Sequence, residues 1–460
     1  MASWDLGALA RAAGSDIVGG TLPERIAAVG TDTRSLPPAS LFVALRGDRF
    51  DGHDFVDAAQ DRGAVAVMVD RAGAEKAAGL RVPRLVVADT VAALGAMARF
   101  ARQTLGKKVV GVTGSNGKTT TKEMVAAVLS TRGPVHKTTG NLNNHLGLPL
   151  TVLAWPAETW AGVLEMGMSG LGEIAHLAEL VSPDVAVITM VGPAHLLQLG
   201  TLENVARAKG EIFEHLPAAG VGVVNVDDPL VVSIAAPLLG TRQRLTFGRA
   251  AGSDVRLVEA TSIDAGVRAR LEVQGRAVEA LLPIPGPHNA MNAAGAVAVG
   301  LALGISPIDA VAGLAHLAVP GGRMRIVRRP AGVSYIDDSY NANPASITAA
   351  FAALQSVASG RRIAVLGDML ELGPTSPELH RQVGRAAAEA GVDLLLGLGT
   401  LAAYIVEGAR DGGAEARGFD DMAALLAHLD GVLTEGDFVL VKGSRGMKME
   451  RAVAHLAERG

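Results

Sequence analysis

The sequence has 460 residues, a length that predicts about three domains. Apolar residues make up 49% of it and aromatic residues only 3%, so its cores must be packed mainly with alanine, valine and leucine. The net charge of −4, without a strongly basic segment, argues against a nucleic-acid partner, and the lack of cysteine excludes disulfides and thiolate chemistry. No apolar run is long enough to cross a bilayer and no secretory signal is evident, so we expect a cytoplasmic protein without a membrane span, and a monomer.

Residues 1–105 form the first predicted domain, in which short strands alternate with helices. Two polar clusters, residues 31–34 and 47–53, lie between these elements. Each is either a solvated loop or part of a small-molecule site on loops at strand ends. The predicted strands are residues 41–45, 64–69 and 85–88, and the predicted helices are residues 55–62 and 91–103.

The second predicted domain, residues 106–318, opens with the stretch VVGVTGSNGKTTT. Its valines predict a buried strand and its glycines predict a tight turn. The spacing of the apolar residues after this turn predicts a helix over residues 119–131. A strand, a turn and a helix N-terminus together form a cradle for phosphate. Lys118, which we expect on an exposed loop, adds positive charge to this cradle. Thr119 adds a hydroxyl group that is suited to binding Mg²⁺. Because Val112 stands where the longer phosphate-binding pattern has a glycine, an ordinary glycine-rich turn is the alternative.

The rest of the second domain alternates apolar strands with helices, which predicts a mainly parallel sheet covered on both faces. Ligands of such sheets bind at the carboxyl ends of the strands. Glu165 and His195 follow two of these strands, so with Thr119 they predict a Mg²⁺ site, although a lone histidine is often structural. On a helix predicted over residues 202–216, spacing alone makes Lys209 a solvated lysine. The predicted strands are residues 162–166, 185–190 and 221–226.

Residues 246–285 alternate apolar and polar positions and predict a small antiparallel insert. An alanine-rich helix follows, and Asn289 and Asn292 share one face near its start. Their amides suit the donor and acceptor edge of adenine, but capping of the helix by Asn289 is the alternative. The asparagine-rich segment at residues 140–145 predicts only a turn on its own.

The third predicted domain, residues 319–460, begins with a Val-Pro-Gly-Gly linker, and a hinge near Pro320 would bring Arg323 to the nucleotide. Four more strands with neighbouring helices predict a second doubly wound unit. The expected fold is α/β, with a small N-terminal α/β domain, a central P-loop-type mainly parallel sheet with helices on both faces, and a C-terminal doubly wound (Rossmann-like) domain. The strands are residues 333–337, 363–367, 394–397 and 438–442, and polar clusters follow at residues 338–344, 367–373 and 442–445.

Eight motifs occur in order along the chain: TGSNGKTT at residues 113–120, GNLNN at 140–144, EMG at 165–167, AH at 194–195, AKGEI at 208–212, HNAMN at 288–292, GR at 322–323 and DDSYNANP at 337–344. Together they resemble the Mur ligase family, whose members build the peptide of the bacterial cell-wall precursor. The likeness spans nearly the whole chain. GNLNN, DDSYNANP, GDMLELG and KGSR are most similar to the motifs of members that add D-alanyl-D-alanine to UDP-N-acetylmuramoyl-tripeptide.

The resemblance implies a role for each matching position. Lys118 would hold the β- and γ-phosphates of ATP, Arg323 would neutralise the γ-phosphoryl group, and Asp338 would bind the ribose. Lys209 occupies a position that is carbamylated in relatives, which would make it a metal ligand rather than a solvated lysine. The implied ATP-binding residues are Gly114, Ser115, Asn116, Gly117, Lys118, Thr119, Thr120, Asn289, Asn292, Arg323 and Asp338; the metal ligands are Thr119, Glu165, His195 and Lys209; the catalytic residues are Lys118, His195, Lys209 and Arg323.

The resemblance also implies how the substrates divide among the domains. The first domain would bind the UDP end of one substrate, and the third would bind the incoming dipeptide and close on ATP. Tyr340 stands where some relatives carry a lysine near the phosphates, so that contact is open. The implied substrate-binding residues are Thr33, Arg34, Gly47, His53, Asn141, Asn144, Tyr340, Asn341, Asn343, Lys442, Ser444 and Arg445.

The implied reaction is ATP-driven amide formation with Mg²⁺, through an acyl phosphate on the terminal carboxylate of the tripeptide. The alternatives are a sister amino-acid ligase, a folylpolyglutamate synthetase-like ligase, and a nucleotide-regulated binding protein without catalysis. GNLNN and DDSYNANP speak against both ligase alternatives. The third residue of the tripeptide stays open between diaminopimelate and lysine.

Overall fold

The computed structural model describes residues 3–47, 50–263, 266–318, 321–329 and 332–458. Its strands form sheets of five, nine and six strands and a two-stranded ribbon, with helices packed on the sheets. The α/β class expected from the alternation of strands and helices is confirmed. Among the described residues, no helix is long and apolar enough to cross a membrane.

The first region contains the five-stranded sheet and the ribbon. In chain order its elements are β1 (Trp4–Asp5), α1 (Leu6–Ala12), β2 (Asp16–Val18), β3 (Arg25–Ile26), β4 (Ala28–Gly30), β5 (Ser40–Val43), α2 (Val56–Asp61), β6 (Ala64–Asp70), β7 (Arg84–Val87) and α3 (Thr90–Leu105). The sheet order is β2-β7-β6-β5-β4, and only β2 is antiparallel to its neighbour. Helix α3 ends at Gly106, whose left-handed conformation stops the helix where the first predicted domain ends.

The second region carries the nine-stranded sheet. Its elements are β8 (Lys108–Thr113), α4 (Lys118–Ser130), β9 (Val135–Lys137), α5 (Gly147–Leu153), β10 (Ala161–Glu165), α6 (Glu173–Val181), β11 (Val185–Ile188), α7 (Leu196–Leu199), α8 (Leu202–Glu214), β12 (Val221–Asn225), α9 (Pro229–Leu239), β13 (Gln243–Gly248), β14 (Val255–Ile263), β15 (Gly266–Val273), β16 (Arg276–Leu282), α10 (Asn289–Ala302) and α11 (Pro307–Leu314). The sheet order is β16-β15-β14-β13-β12-β11-β8-β10-β9. Central strand β8 is buried on both faces, as its nearly unbroken apolar run requires.

The predicted antiparallel insert belongs to this sheet instead of standing apart from it. Strands β14, β15 and β16 pair antiparallel with one another, as the alternating pattern predicted. Strand β14, however, also pairs in parallel with β13, so the three strands extend the central sheet. Strand β13 was not predicted, because its sequence QRLTFG has only two large apolar residues, Leu245 and Phe247.

The third region carries the six-stranded sheet. Its elements are β17 (Arg325–Val327), β18 (Ser334–Asp338), α12 (Pro344–Val357), β19 (Arg362–Gly367), α13 (Ser376–Glu389), β20 (Leu394–Leu398), α14 (Ala402–Asp411), β21 (Glu415–Phe419), α15 (Met422–Val432), β22 (Phe438–Lys442) and α16 (Glu450–Glu458). The order is β17-β18-β22-β19-β20-β21, parallel except for β17. The predicted hinge at Pro320, with Val319, lies outside the described residues.

The first and second regions share one hydrophobic core. Helix α3 of the first region packs against α5 and α6 of the second within this core, and α1 packs against α3. The indole of Trp4 donates a hydrogen bond to the carbonyl of Leu153, 2.7 Å away, across the junction. These contacts hold the first region against the central sheet.

Candidate functional site

A cavity of about 760 Å³ lies where the carboxyl ends of β8, β10 and β11 face those of β18 and β22. This is the edge at which ligands of parallel sheets bind. Of the site residues predicted in the second and third regions, all line the cavity except Gly114 and Ser444. Residues from many separate sequence segments of the second and third regions therefore share one site.

The glycine loop between β8 and α4 forms one wall of the cavity. Gly114 and Gly117 have φ angles of +148° and +79°, which explains why glycine stands at both positions. The Lys118 ammonium donates a hydrogen bond to the carbonyl of Gly114 at 2.8 Å. Lys118 begins α4 and is half-buried, so the expectation of an exposed loop is wrong. Burial lowers the pKa of Lys118, the charge of Glu165 opposes that shift, and Arg323 adds to it.

Glu165 ends β10 with a buried carboxylate. The Thr119 hydroxyl donates to its Oε2, and the Asn143 amide donates to its Oε1, each at 2.9 Å. The Lys122 ammonium lies 3.9 Å from Oε2. A buried carboxylate is costly unless it is compensated, and these groups compensate it.

His195 lies on the loop after β11 and pairs across the cavity. Its Nδ1 is 2.8 Å from Oε2 of Glu371, which follows β19 in the third region. Burial and the charge of Lys118 lower the pKa of His195, while Glu371 opposes the shift. No group of three histidine, aspartate or glutamate side chains in the described part of the chain is arranged to hold a metal ion. Of the predicted metal ligands, Thr119 and Glu165 are in contact, whereas His195 pairs with Glu371.

Lys209 lies on α8, is only 2% exposed and lines the cavity. Its ammonium has no hydrogen-bond or ion-pair partner among the residues that the structure describes. Burial lowers the pKa of Lys209 well below 10.5, and the charge of Lys118 lowers it further. The interpretation of Lys209 as a solvated lysine is therefore wrong.

Asn289 and Asn292 meet on the first turn of α10. The Asn292 amide donates to Oδ1 of Asn289 at 3.0 Å, and the Asn289 amide donates to the carbonyl of Pro285 at 2.7 Å. The capping alternative for Asn289 is wrong, because the helix begins at Asn289 itself and its preceding residue makes no side-chain cap.

Asp338 and Lys442 form a buried ion pair in the wall that the third region contributes to the cavity. The Lys442 ammonium donates to Oδ2 of Asp338 and, at 2.9 Å, to the carbonyl of Asn341. The N–H of Met324 donates to Oδ1 of Asp338 at 3.1 Å. Both carboxylate oxygens and the ammonium are thus already engaged within the protein.

Ser444 and Arg445 follow β22 but differ in where they lie. Ser444 is buried and accepts a hydrogen bond from the N–H of Leu370 at 2.9 Å, so it braces two loops away from the cavity, which corrects its prediction as a substrate contact. The guanidinium of Arg445 lines the cavity, 5.4 Å from the ring centre of Tyr340. The Arg323 guanidinium lies 4.1 Å from the centre of the same ring.

The asparagine-rich segments meet the glycine loop from two sides. Asn116 of the glycine loop and Asn343 of the third region exchange two amide hydrogen bonds, of 2.6 and 3.2 Å. Asn144 accepts from the N–H groups of Leu146 and Gly147, so its side chain orders the turn before α5. Asn141 lines the cavity as an exposed side chain.

The predicted first-region residues lie away from this cavity. Thr33 and Arg34 follow β4, and Arg34 forms an exposed ion pair with Asp32 at 2.6 Å. Hydrogen bonds from Arg34 lower the pKa of Asp32 to about 2. The N–H of Gly47 donates a hydrogen bond to the carbonyl of Phe50, and this position alone does not indicate a role for Gly47. Residues 48–49 of the predicted 47–53 cluster lie outside the described residues.

His53 belongs to the same predicted cluster but is 1% exposed. Its Nδ1 is 2.6 Å from Oδ1 of Asp51, and its Nε2 accepts a hydrogen bond from the N–H of Asp70 at 3.1 Å. Both ring nitrogens are therefore occupied inside the fold. The structure therefore does not place His53 on an open loop surface, as its prediction as a substrate contact required.

Three models of one protein family match successive parts of the chain. They are described as the Mur ligase family, catalytic domain, at residues 25–102, the Mur ligase middle domain at 112–300, and the Mur ligase, glutamate ligase domain at 322–445. The chain belongs to the Mur ligase family. The three regions of the fold are thus the three domains of a Mur ligase.

Relatives and solved structures match over the whole chain. A Bacillus subtilis protein named UDP-N-acetylmuramoyl-tripeptide--D-alanyl-D-alanine ligase is 42% identical, with 94% of this chain and 93% of that protein covered. A crystal structure of MurF from Acinetobacter baumannii is 34% identical, with a TM-score of 0.90 and all of both chains covered. The MurF ligase from Thermotoga maritima in complex with ADP is 32% identical, with a TM-score of 0.80 over 94% of this chain and 97% of that one.

Several residues in and around this Mur ligase site were not predicted, among them three that contact or approach predicted site residues. Asn143 stands between the predicted Asn141 and Asn144, and Lys122 lies one helical turn after Thr119; both contact or approach Glu165. Glu371 lies in the predicted polar cluster GDMLELG, but its pairing with His195 joins positions 176 residues apart. A polar residue in a loop that follows a strand is the signal that could have found Asn143 and Glu371.

Proposed function

We propose that this Mur ligase joins D-alanyl-D-alanine to UDP-N-acetylmuramoyl-tripeptide, giving UDP-N-acetylmuramoyl-pentapeptide, ADP and phosphate in peptidoglycan precursor synthesis. One observation carries the proposal: the glycine loop and two arginines of the third region line the same cavity. A phosphate cradle beside these cations suits a reaction between anions. The 42% identity to the Bacillus subtilis ligase over 94% of the chain supports the choice of substrates.

ATP is proposed to lie along the cavity wall formed by α4 and α10. The loop N–H groups, the N-terminus of α4 and Lys118 favour the β- and γ-phosphates. The paired amides of Asn289 and Asn292 offer donors and acceptors to adenine. Arg323 lines the cavity with no carboxylate partner among the described residues, which leaves its charge for the γ-phosphoryl group.

The glycine loop provides a direct test of this ATP site. A Cβ at Gly117 would lie 2.6 Å from Oδ1 of Asn292, in a backbone conformation with φ +79°. We expect Gly117→Ala to weaken ADP binding by about tenfold or more, because the loop N–H groups must shift. Titration with ADP measures this. Gly106→Ala is the matched control, since Gly106 also has positive φ but open space around it, and unchanged ADP affinity in Gly117→Ala would contradict the assignment.

Mg²⁺ is proposed to bind beside the γ-phosphate. The donor set fits a hard cation, because a buried carboxylate at Glu165 and the hydroxyl of Thr119 are adjacent and open to the cavity. Thr119 and Glu165 would hold the ion, with His195 and a modified Lys209 as further ligands. When bound, Mg²⁺ would neutralise charge on the phosphates.

Lys209 is proposed to be carbamylated, as its position in the family implies. Carbamylation requires a neutral amine, and the pKa of Lys209 is lowered well below 10.5 by burial. The amine nitrogen attacks the carbon of CO₂, an N–C bond forms, and the amine loses a proton. The product carries negative charge near Lys118, which removes the unfavourable proximity of two ammonium groups.

The proposed reaction has two steps. A carboxylate oxygen of the tripeptide attacks the γ-phosphorus, and the bond to ADP breaks, giving an acyl phosphate. The dipeptide amine then attacks the acyl carbon, a tetrahedral intermediate forms, phosphate leaves, and the nitrogen gives up its proton. Negative charge builds in both steps, so Lys118 and Arg323 stabilise the transition states by charge rather than by acid–base action.

The three domains are proposed to divide the substrates. Residues 1–105 would bind the UDP end, with Thr33, Arg34 and Gly47 as remaining candidates. Residues 106–318 would bind ATP. Residues 319–460 would bind the dipeptide, with Asn341 and Asn343 facing the cavity, and would close on ATP.

Phosphate release from ATP tests the proposed function. With UDP-N-acetylmuramoyl-tripeptide present, release should require D-alanyl-D-alanine. Tripeptides ending in diaminopimelate or lysine, compared side by side, identify the third residue. Release that responds to a single amino acid or to glutamate would assign the protein to a sister ligase. Nucleotide binding without any such release would favour the non-catalytic alternative.

Closure of the third domain is expected to depend on Glu371, which pairs with His195 across the cavity at 2.8 Å. We expect the radius of gyration to fall when nucleotide and UDP-N-acetylmuramoyl-tripeptide bind, and Glu371→Ala to reduce both this fall and kcat, the latter by about tenfold. Small-angle scattering makes the measurement. Glu389→Ala, an exposed change on α13 of the same domain, is the control. Equal compactness with and without ligands would contradict closure.

A further inference from the structure

The pair of His195 and Glu371 joins the second domain to the third. Nδ1 of His195 lies 2.8 Å from Oε2 of Glu371. An ionised carboxylate only accepts hydrogen bonds, so Nδ1 carries the proton that is donated to it. In the neutral imidazole the other nitrogen, Nε2, then keeps a lone pair that can bind a cation. The pairing with Glu371 therefore determines which nitrogen of His195 is available as a ligand.

Nε2 of His195 has no hydrogen-bond partner among the residues that the structure describes. His195 lines the cavity, as do Thr119 and Glu165. Besides burial, the charges of Lys118 and Lys209 lower the pKa of His195, so its ring lies near both ammonium groups. The available nitrogen thus belongs to the part of the cavity in which Mg²⁺ is proposed to bind.

The backbone has an uncommon conformation at both members of this pair. His195 has a φ angle of +56° and Glu371 one of +65°, in the left-handed region that residues other than glycine rarely occupy. The N–H of Leu197 also donates to the carbonyl of Glu371 at 3.4 Å, so the two loops contact each other through their backbones. Strained positions persist where their side chains have a function, which indicates that the imidazole and the carboxylate are both needed there.

The arrangement matches that of a metal ligand oriented by a carboxylate. A histidine that binds a metal ion commonly donates its other ring N–H to a carboxylate, which fixes the tautomer and the orientation of the ring and makes it a stronger ligand. Here the histidine follows β11 of the second domain, whereas the carboxylate follows β19 of the third. The orienting group therefore comes from a different domain than the ligand that it orients.

We propose that Glu371 is a positioning residue, which holds His195 with Nε2 available to the metal ion and thereby couples the affinity of the metal site to closure of the third domain. This inference rests on the proposed function and its Mg²⁺ site. The carboxylate reaches His195 only while the third domain is packed against the second. Because coupling between two equilibria is reciprocal, metal binding should favour the closed arrangement as much as closure favours metal binding.

The test uses Mn²⁺ as the metal, in the full-length protein saturated with ADP. In the wild type, electron spin-echo spectra of bound Mn²⁺ should show coupling to a directly bound imidazole nitrogen, and His195→Ala should lose this coupling. We expect Glu371→Ala to weaken the coupling and to raise the dissociation constant for Mn²⁺ by about 10- to 100-fold. Glu371→Gln should recover part of the affinity, because its amide oxygen can still accept from Nδ1 but carries no charge.

Asp430→Ala is the matched control. Asp430 also pairs with a histidine of the third domain, 2.7 Å from Nε2 of His455, but neither residue lines the cavity. Small-angle scattering tests the coupling to closure. Adding Mn²⁺ to the ADP complex should lower the radius of gyration of the wild type and of this control, and should lower it less in Glu371→Ala.

Two results would overturn the inference: wild-type affinity for Mn²⁺ in Glu371→Ala, and a wild type whose bound Mn²⁺ shows no coupling to nitrogen. The proposed function fails separately from it. A wild type that binds Mn²⁺ as expected, but releases no phosphate when UDP-N-acetylmuramoyl-tripeptide and D-alanyl-D-alanine are both present, would overturn the proposed function and not the role of Glu371 at the metal site.

Discussion

Lys118→Ala is expected to lower kcat for phosphate release by roughly 100- to 1,000-fold, because it removes a preorganised charge from the γ-phosphoryl group. The fold should be retained. The Lys118 ammonium hydrogen-bonds to the carbonyl of Gly114, and burial already lowers its pKa. Glu165, whose charge acts on Lys118, should keep its hydrogen bonds from Thr119 and Asn143 in the variant.

Steady-state phosphate release and thermal unfolding followed by circular dichroism measure the two parts of this expectation. Lys107→Ala is the control, since Lys107 precedes β8 at the opposite end of the strand from the glycine loop and does not line the cavity. Turnover close to wild type in Lys118→Ala would refute the role of the lysine. Unfolding of the variant would show that the lysine is structural.

The fold was predictable where strands are nearly unbroken apolar runs. The runs around β8, β10, β11, β19 and β22 could each be recognised, because strands buried on both faces contain little else. Strands β13 and β21 were missed, because QRLTFG and EARGF contain too many polar residues for that signal. Their strand conformation comes from pairing with neighbours, which is a property of the tertiary structure.

The sequence predicted most of the residues that line the site, but it predicted their burial and their contacts less well. Strand ends and loop glycines brought Lys118, Glu165 and His195 to the right edge of the sheet, since position along a parallel strand determines which edge a residue reaches. Helical spacing showed on which side of its helix Lys209 lies, but not that other parts of the fold cover that side. The burial of Lys209 was therefore missed. His53 was misassigned because polar composition cannot distinguish a loop open to ligand from one closed on itself.

Contacts between domains were beyond local pattern. Asn116 and Asn343 exchange hydrogen bonds across 227 positions of sequence, and Tyr340 receives Arg445 from 105 positions away, as their numbers show. Spacing along one helix or strand carries no information on such pairs. Only the family resemblance predicted that all four residues belong to the binding site, and it did not predict which of them are in contact.

Lys209→Met is expected to abolish more than about 99% of turnover and at the same time to raise stability. The lost activity follows from the loss of the proposed carbamate. The gain in stability is expected because the Lys209 side chain is 2% exposed and its amine has no partner among the described residues, whereas methionine fills similar space without a polar group to desolvate. Phosphate release and urea unfolding in buffer depleted of CO₂ make the two measurements.

The stability gain should depend on pH with a definite sign. The pKa of Lys209 lies well below its unfolded value of 10.5, so between these values the native state binds fewer protons than the unfolded state. The wild type therefore gains stability as pH rises through this window. Because Met does not titrate, the advantage of Lys209→Met should be largest at low pH and shrink as pH approaches 10.5.

Lys122→Met provides the contrast within the same domain. Lys122 is equally buried but donates to the carbonyl of Thr138 at 2.6 Å and lies 3.2 Å from Oε1 of Glu123. Its removal leaves the buried carbonyl of Thr138 without its donor and Glu123 with Lys137 as its remaining ion-pair partner among the described residues, so it should destabilise the protein by about 1–3 kcal/mol. Opposite signs for these two buried lysines follow only if Lys209 lacks a partner in the unmodified protein. A Lys209→Met variant that is destabilised like Lys122→Met, or that retains turnover, would show that Lys209 serves the fold and not the reaction.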